Sequence, residues 1–193
     1  FHNLYKELLN FCTVDLSAFY FDIRKDALYC DKKDSTRRKS TIILLNIILE
    51  SLLKWFAPIL SFTTEEIYKM LFKENKSIHL EKFINFPENF RNDNLNDKWI
   101  QLINLRDICN ISIEEKRASK EIGSSLEANL KINLDKKFSK ITENIDFAEL
   151  CITSGAEVFF SDNVETIIQT IKAQGAKCPV CWKVNIQPCP KHS

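Results

Sequence analysis

Apolar residues recur every three or four positions through about the first 120 residues, which is the spacing of amphipathic helices. The pattern predicts two short helices within residues 1–30, the second from about Asp15, then a long helix over about 41–57, a helix over about 63–72 and a second long helix over about 94–121. Pro58 ends the first long helix because proline lacks the backbone N–H that a helix interior requires. Thr63 and Glu66 form a capping box for the next helix, and Gly123 supplies the last stop.

The apolar period changes from 3.6 to 2 after Gly123. Leu130, Ile132 and Leu134 alternate with polar residues, as in a half-buried strand. Further extended segments are predicted over 149–153, 157–160 and 164–173, with a short helix over 136–144 and an extended connector over 78–91. The sequence therefore predicts a mainly α protein in three parts. They are a helical bundle over residues 1–122, a small α/β module over 123–174 and a tail over 175–193.

Residues 42–60 are nearly all apolar and approach the roughly 20 residues that a membrane span needs. Asn46, Glu50 and Lys54, however, recur every four residues and form one polar stripe along the helix. A stripe of this kind suits a central bundle helix with one edge in water. We therefore predict that this segment does not enter a membrane.

The composition is that of an ordinary globular protein, with 45% hydrophobic and 27% charged residues and a net charge of +1. Seven cysteines without a secretory signal indicate a reducing compartment, so we expect a cytoplasmic protein, acting as a monomer. The chain starts at Phe1 in the middle of a helical pattern, and we expect it to be a fragment of something longer. It has no glycine-rich phosphate loop and its three histidines are far apart, so no catalytic residue is predicted.

The last sixteen residues carry the densest chemistry. Cys178 and Cys181 form one pair with two residues between them, and Cys189 and His192 form a second pair across a seven-residue loop. Two such pairs can direct four side chains at one tetrahedral ion, and three thiolates with one imidazole make a closed structural zinc shell. A surface disulfide, or cysteines under no constraint, would be the alternatives. His192 is the weakest of the four ligands because it stands one residue from the end, where chains fray.

Two groups of basic residues are candidates for contacts with nucleic acid. Between positions 24 and 39, seven Lys/Arg stand against three acidic residues, and the run Arg37, Arg38, Lys39 precedes the long helix. A solvated linker would show the same pattern. The tail from Thr166 onward has four lysines and no acidic residue, so it stays positive even with a zinc ion bound to three thiolates.

An aromatic and a basic residue follow the second cysteine of the tail directly, namely Trp182 and Lys183. The indole can cover the metal site as part of a small core. Alternatively, it can stack on an unpaired base while Lys183 anchors a phosphate. The sequence leaves both alternatives open.

Four strings, in this order along the chain, resemble one protein family. They are LSAFYFDIRKD at residues 16–26, LKWFAPIL at 53–60, IGSSLEA at 122–128 and KCPVCWK at 177–183. Over essentially all of its length, the chain resembles the carboxy-terminal region of bacterial-type isoleucyl-tRNA synthetases, which belong to the class I aminoacyl-tRNA synthetases. One string alone would be weak, whereas four in sequence order are specific.

The resemblance implies an anticodon-binding helical bundle, a small α/β module and a terminal zinc-binding peptide, which hold the anticodon stem and loop of tRNA(Ile). The catalytic domain of the family carries HIGH and KMSKS signatures, and neither occurs in this sequence. The resemblance therefore implies that ATP and Mg²⁺ act in a part of the ligase that this chain lacks, and that this fragment alone is inactive.

The chain also departs from the family. The zinc cysteines of the family map onto Cys178, Cys181 and Cys189, but the fourth position, usually cysteine, is His192 here, and the loop between the pairs is shorter than usual. Two other hypotheses stay open. The first is the same region of a valine or leucine synthetase, against which the terminal zinc peptide argues. The second is a free-standing zinc-tip adaptor that binds RNA or protein.

Overall fold

A computed structural model of the chain describes residues 2–72, 76–162 and 164–192. The chain divides into two compact units, of which one comprises residues 1–30 and 92–193 and the other residues 31–91. The structure is mainly helical with a small sheet, as the sequence predicts. The domain boundaries at residues 122 and 174 stay predictions.

The first unit begins with a continuous helical stretch. α1 (His2–Asn10), a π-helical segment (Phe11–Phe21) and α2 (Asp22–Tyr29) follow one another without a break, because Asn10 and Asp22 at the junctions keep helical φ and ψ angles. The prediction of two separate helices is therefore wrong. No helix breaker stands between them, and the middle of the stretch widens into π-helical turns instead of ending.

The long helix α5 (Asp93–Ala118) belongs to the same unit. The side chain of Asn92 caps its first turn by accepting a backbone N–H at 2.9 Å. The helix ends three residues before the predicted limit, because Lys120 adopts a left-handed φ of 60° and later backbone amides bond back to the Lys116 carbonyl. Gly123, the predicted stop, lies in the loop that follows.

A three-stranded sheet comes next along the chain. The central strand β1 (Ala128–Asp135) pairs in parallel with β2 (Gly155–Ser161) and antiparallel with β3 (Ile167–Lys172). Every second residue of β1 from Ala128 to Leu134 is at most 1% exposed. The alternating pattern thus predicted the central strand correctly, and the two other strands lie at or close to the predicted segments.

The connection from β1 to β2 is helical rather than extended. It contains a 3₁₀ turn (Lys136–Phe138), α6 (Ser139–Thr142) and α7 (Phe147–Leu150). The predicted extended segment over 149–153 is wrong, since its first two residues belong to α7. The carboxylate of Asp146 accepts two backbone N–H groups of α7, and this cap stabilises a helical turn where the apolar pattern suggested a strand.

The core of the first unit lies between α5 and the sheet. Its fully buried members are Leu102, Leu105, Cys109, Ile113, Ile122, Ala128, Leu130, Ile132, Leu134, Phe147, Leu150 and Cys151. Phe19 of the π-helical segment packs against Trp99 of α5 with 6.1 Å between the ring centres. This contact fixes the first helical stretch to the long helix.

The second unit is built on two helices, α3 (Thr36–Phe56) and α4 (Ser61–Phe72), with 3₁₀ turns at Ile78–Leu80 and Glu88–Phe90. α3 starts five residues before its predicted beginning, because Ser35 supplies an N-cap within the basic linker.

Within this unit the predicted capping box is wrong. Thr63 and Glu66 both lie inside α4, which already begins at Ser61. The small core of the unit comprises Leu53, Ala57, Tyr68 and Ile78. In the part of the chain that the structure describes, no helix is long and apolar enough to cross a bilayer.

Candidate metal centre

The four predicted metal ligands converge at one point. The ligating atoms of Cys178, Cys181, Cys189 and His192 all lie within 4.8 Å of one another. The two sulfurs of Cys181 and Cys189 are 3.7 Å apart, and the Nδ1 atom of His192 lies 3.5 Å from the Cys178 sulfur and 3.4 Å from the Cys189 sulfur. A tetrahedral zinc ion with ordinary Zn–S and Zn–N bonds requires S–S separations of about 3.75 Å and S–N separations of about 3.55 Å. These three separations match that geometry, and the four residues could hold one tetrahedral metal ion.

No disulfide forms in the cluster. None of the seven cysteines forms a disulfide, and the 3.7 Å between the Cys181 and Cys189 sulfurs far exceeds the S–S bond length of about 2.05 Å. The disulfide considered from the sequence is thus absent from the structure.

A short hairpin positions the first ligand pair. The two-residue strands β4 (Ala176–Lys177) and β5 (Val184–Asn185) pair antiparallel on either side of the cysteines. Inside the turn, the Trp182 N–H bonds to the Cys178 carbonyl at 3.0 Å, and Trp182 itself adopts a left-handed φ of 63°. We call residues 176–192 the metal knob.

The backbone of this turn prepares Cys178 as a thiolate. Amide N–H groups of Cys181 and Val180 bond to its sulfur and lower the pKa of the thiol to about 6. Burial instead raises the pKa of Cys181 to about 11, which is the cost of placing that sulfur inside the cluster before an ion neutralises it.

The imidazole of His192 is anchored by a backbone hydrogen bond on the ring edge that faces away from the sulfurs. Its Nε2 atom lies 2.8 Å from the Cys30 carbonyl oxygen, just after α2, while its Nδ1 atom faces the sulfurs. This hydrogen bond first, and then the hydrogen bonds to the Cys178 and Cys189 sulfurs, raise the pKa of His192 to about 8. A carbonyl that accepts from the distal N–H fixes the tautomer in which Nδ1 is free to bind a metal. The least secure ligand of the sequence is thus well anchored.

Two further contacts attach the metal knob to the rest of the first unit. The Lys191 ammonium pairs with the Asp26 carboxylate of α2. The Val184 N–H donates to the Ser154 hydroxyl at 2.6 Å, and that hydroxyl donates to the Leu126 carbonyl. Sequence reasoning missed Cys30, Asp26 and Ser154, because a backbone carbonyl and single polar side chains far away in the sequence leave no spacing signal.

A cavity of about 390 Å³ opens beside the metal knob. It is lined by Ile23, Lys25 and Tyr29 of α2, by Ala148 and Ile152 of the sheet module and by Val180, Trp182 and Lys183 of the knob, among others. Trp182 is 58% exposed, so it does not cover the ligands as a small core would require. Lys183 is half-buried next to it.

The other predicted nucleic-acid contacts lie in the second unit, at the start of α3. The guanidinium of Arg37 forms two hydrogen bonds of 2.7 Å with the Asp31 carboxylate, and Arg38 donates to the Asp31 carbonyl at 3.0 Å. Lys39 is exposed. Arg37 and Arg38 thus order the linker, which sequence reasoning did not predict.

Comparison with known proteins identifies a matching family and several similar proteins. Residues 1–133 match the family described as the anticodon-binding domain of tRNA ligase. The chain belongs to this family. Its match ends within β1, so it rests on the helices and not on the metal centre.

Among the relatives of this chain are several isoleucine–tRNA ligases. The one from Pelagibacter ubique is 69% identical over 193 residues, which is the whole chain and 21% of the relative. Those from Brucella abortus and Gluconobacter oxydans are 40% and 39% identical over 95% and 94% of the chain, or 20% and 19% of the relatives. The chain thus spans about a fifth of the length of these ligases. The resemblance to isoleucyl-tRNA synthetases is confirmed.

Proposed function

We propose that this chain is the anticodon-recognition region of an isoleucine–tRNA ligase and that it holds the anticodon stem and loop of tRNA(Ile). The observation that carries the proposal is the 69% identity, over all 193 residues, to an isoleucine–tRNA ligase. The identity extends beyond the anticodon-binding match at residue 133 into the sheet module and the metal knob. The relatives reported above are isoleucine ligases, which favours this assignment over the valine or leucine ligases considered from the sequence.

In this proposal the chemistry of aminoacylation takes place elsewhere. ATP and Mg²⁺ act in the catalytic domain of the ligase, and the region described in this structure contributes binding and positioning as a class I anticodon-binding bundle. Single-stranded anticodon bases expose their edges and faces, which a protein surface can contact directly. We expect this region to act in the cytoplasm, as part of a monomeric ligase.

The metal knob would hold one structural Zn²⁺ through Cys178, Cys181, Cys189 and His192. Three soft thiolates and an imidazole in a tetrahedral arrangement are a donor set that zinc prefers. All four positions belong to the protein, so the ion has no open position for a reacting water and serves to fix the fold.

Trp182 and Lys183 are the proposed tRNA contacts of the knob. At the start of α3, Lys39 is the best placed of the basic run to meet a phosphate, because it is exposed while Arg37 and Arg38 are engaged with Asp31. Arg37 and Arg38 would then serve mainly to shape that segment.

The test is a binding measurement with tRNA transcripts. Fluorescence anisotropy of the zinc-loaded chain should show tighter binding to a tRNA(Ile) transcript than to the same transcript with a swapped anticodon. Equal affinity for the two would overturn the proposal, and no affinity for either would favour the alternative of an adaptor that binds protein. A valine-specific or leucine-specific region would instead prefer its own anticodon.

A further inference from the structure

A groove of about 620 Å³ lies between the sheet and the segment of the metal knob that joins the two ligand pairs, residues 184–188. Asn129, Gly155 and Ile171 form its floor, in register across the three strands. Because Asn129 alternates with buried residues such as Leu130, these three residues lie on the sheet face opposite to the core, which we call the open face. All the lining residues belong to the first unit.

Four carboxamide side chains line this groove, and we call it the amide groove. They belong to Asn129, Gln174, Asn185 and Gln187. In the part of the chain that the structure describes, none of these four side chains forms a hydrogen bond. A carboxamide offers two N–H donors and one acceptor oxygen. The groove therefore presents both donors and acceptors to a polar ligand.

Two glycines shape the amide groove. A side chain at Gly155 would place its Cβ 3.0 Å from the Oδ1 atom of Asn129, so glycine at this position leaves room for that carboxamide. Gly175 has a φ of 120°, and a Cβ there would overlap the carbonyl oxygen of Asn185. Glycine thus lets the chain that follows β3 pass directly against the metal knob. This close approach places Gln174 and Asn185 at the same rim of the groove.

The charges around the amide groove favour an anionic ligand. Lys172 lines it and is exposed, whereas the described lining contains no aspartate or glutamate. Lys131, two residues along β1 from Asn129, adds a second exposed ammonium, and neither lysine forms an ion pair with a described residue. Glu157 is in register with Lys131 and does not line the groove. A phosphate can therefore approach Lys172 without meeting a carboxylate of the lining.

The ribose–phosphate backbone of RNA carries the groups that such a lining recognises. Each 2′-hydroxyl both donates and accepts hydrogen bonds, as a carboxamide does, and each phosphate carries a negative charge. Ile171 and Pro188 supply apolar surface on which the carbon atoms of a sugar can pack. DNA lacks the hydroxyl and a neutral carbohydrate lacks the phosphate, so each would use only part of the lining.

We propose that the amide groove binds the ribose–phosphate backbone of tRNA, with its carboxamides on 2′-hydroxyl groups and Lys172 on a phosphate. The inference rests on the function proposed above and adds a contact that recognises RNA irrespective of its base sequence. Trp182 and Lys183 do not line this groove, so the contact is separate from the one proposed for those residues.

The first test converts single carboxamides of the groove into carboxylates, as Gln174→Glu and Gln187→Glu. A carboxylate keeps the shape of the side chain, lacks its donors and repels a phosphate, so the affinity for a tRNA(Ile) transcript should fall about five- to ten-fold. Gln101→Glu on α5 is the matched control, because it adds the same charge to an exposed glutamine outside the groove. An equal loss in the control would reveal general repulsion only and would overturn the proposal.

Metal analysis accompanies these variants. Each should keep one zinc ion per chain, because none of the changed residues is a proposed ligand. Gln174 precedes both ligand pairs, whereas Gln187 lies between them. If Gln187→Glu lowers the zinc content, the affinity of Gln174→Glu alone decides the outcome.

A second test alters the RNA at single positions of the anticodon stem and loop. A 2′-deoxy substitution should weaken binding to the wild-type chain at one or two adjacent nucleotides, and a neutral methylphosphonate should do so at a neighbouring phosphate. In Lys172→Ala that methylphosphonate should have no further effect, and the slope of log K against log salt should be smaller by about one. A methylphosphonate effect that persists in Lys172→Ala would remove Lys172 from the phosphate contact and overturn the proposal.

Lys140→Ala is the matched control for Lys172→Ala. Lys140 is also exposed, but it lies on α6, beyond the far end of β1, and does not line the groove. Its variant should keep the wild-type salt slope and the wild-type response to the methylphosphonate. Equal changes in the two lysine variants would count against a phosphate site in the amide groove.

The two proposals fail in different ways. If the wild-type chain does not distinguish tRNA(Ile) from the anticodon-swapped transcript, the function itself is wrong. If it does distinguish them, but Gln174→Glu behaves like Gln101→Glu and no 2′-deoxy position weakens binding, only the amide groove is wrong.

Discussion

The metal knob and the sheet module belong to the same unit, yet they owe their shapes to different interactions. In the module, alternate residues of β1 are fully buried between α5 and the neighbouring strands. In the knob, the strands β4 and β5 have only two residues each, and Cys178 and Cys181 are its only buried residues among those described. Val180, Trp182 and Ile186 of the knob are each more than half exposed.

This difference indicates which interactions stabilise each part. The module buries enough apolar surface to fold by the hydrophobic effect. The knob has no such surface, and the side chains of its three cysteines and His192 occupy the place of a core, so we expect its structure to depend on a bound metal ion. Removing the metal and removing an apolar side chain should therefore affect different parts of the same unit.

The largest effect is expected from Cys178→Ser. Structural zinc sites contribute roughly 10 kcal/mol or more of binding free energy that is also folding free energy, and no pair of two-residue strands can replace it. The variant should lose zinc, and amides of residues 176–192 should exchange rapidly while those of β1 stay protected. Hydrogen exchange and metal analysis measure both. Cys12→Ser, outside the cluster, is the control, and protection of the knob without zinc would contradict the comparison.

The reverse perturbation is Ile132→Ala at the centre of β1, where the side chain is fully buried. A large-to-small change in a packed core costs about 2–5 kcal/mol. Urea denaturation should show a lower free energy of unfolding, while zinc content below the transition stays at one ion per chain. Ile167→Ala is the control, because that side chain on β3 is 59% exposed and should cost far less. Equal losses from the two would mean that the sheet has no real core.

A smaller effect is expected where the two regions join. The Ser154 hydroxyl accepts the Val184 N–H of the knob and donates to a carbonyl of the module. Ser154→Ala leaves that amide without its acceptor, at a cost of about 1–2 kcal/mol. Faster exchange of the Val184 amide, with zinc retained, would be the signature. Ser161→Ala, whose 3.3 Å hydrogen bond stays inside the module, should leave that amide unchanged.

The same two regions show what the sequence could reveal. The convergence of the four knob residues was predictable because metal sites typically use a short, fixed spacing, here between Cys178 and Cys181 and again between Cys189 and His192. Their role as zinc ligands stays a prediction. β1 was predictable because burial of one face of a strand imposes an alternation of apolar and polar residues, as around Ile132. Both are local patterns.

Features that depend on distant partners were not predictable. The bond from His192 to the Cys30 carbonyl, the two hydrogen bonds of Ser154 and the tie between Arg37 and Asp31 arise only once the chain is folded. Local signals can also conflict. The segment 149–153 was predicted as extended, although its first two residues belong to α7, whose first turn Asp146 caps.

The second unit, residues 31–91, offers a third case, in which one carboxylate, rather than a metal or a large core, joins α4 to the turn at residues 77–78. Glu65 of α4 binds the Lys69 ammonium at 2.8 Å, the Ile78 N–H at 2.9 Å and the Ser77 hydroxyl at 2.9 Å. Together these bonds lower the pKa of Glu65 from 4.5 to about 2, and the bond to Lys69 makes the largest contribution.

Glu65→Gln should therefore have the smallest effect, and one that depends on pH. The bonds require the charged carboxylate, so their contribution is complete above the unfolded pKa of about 4.5 and is lost as the pH falls through about 2. The variant should melt at a lower temperature than the wild type at pH 7, and the two melting temperatures should converge near pH 2. Glu66→Gln, one residue away, should show no such convergence. A melting-temperature difference that is the same at both pH values would mean that Glu65 acts through packing, like the core of the sheet module, and not through its charge.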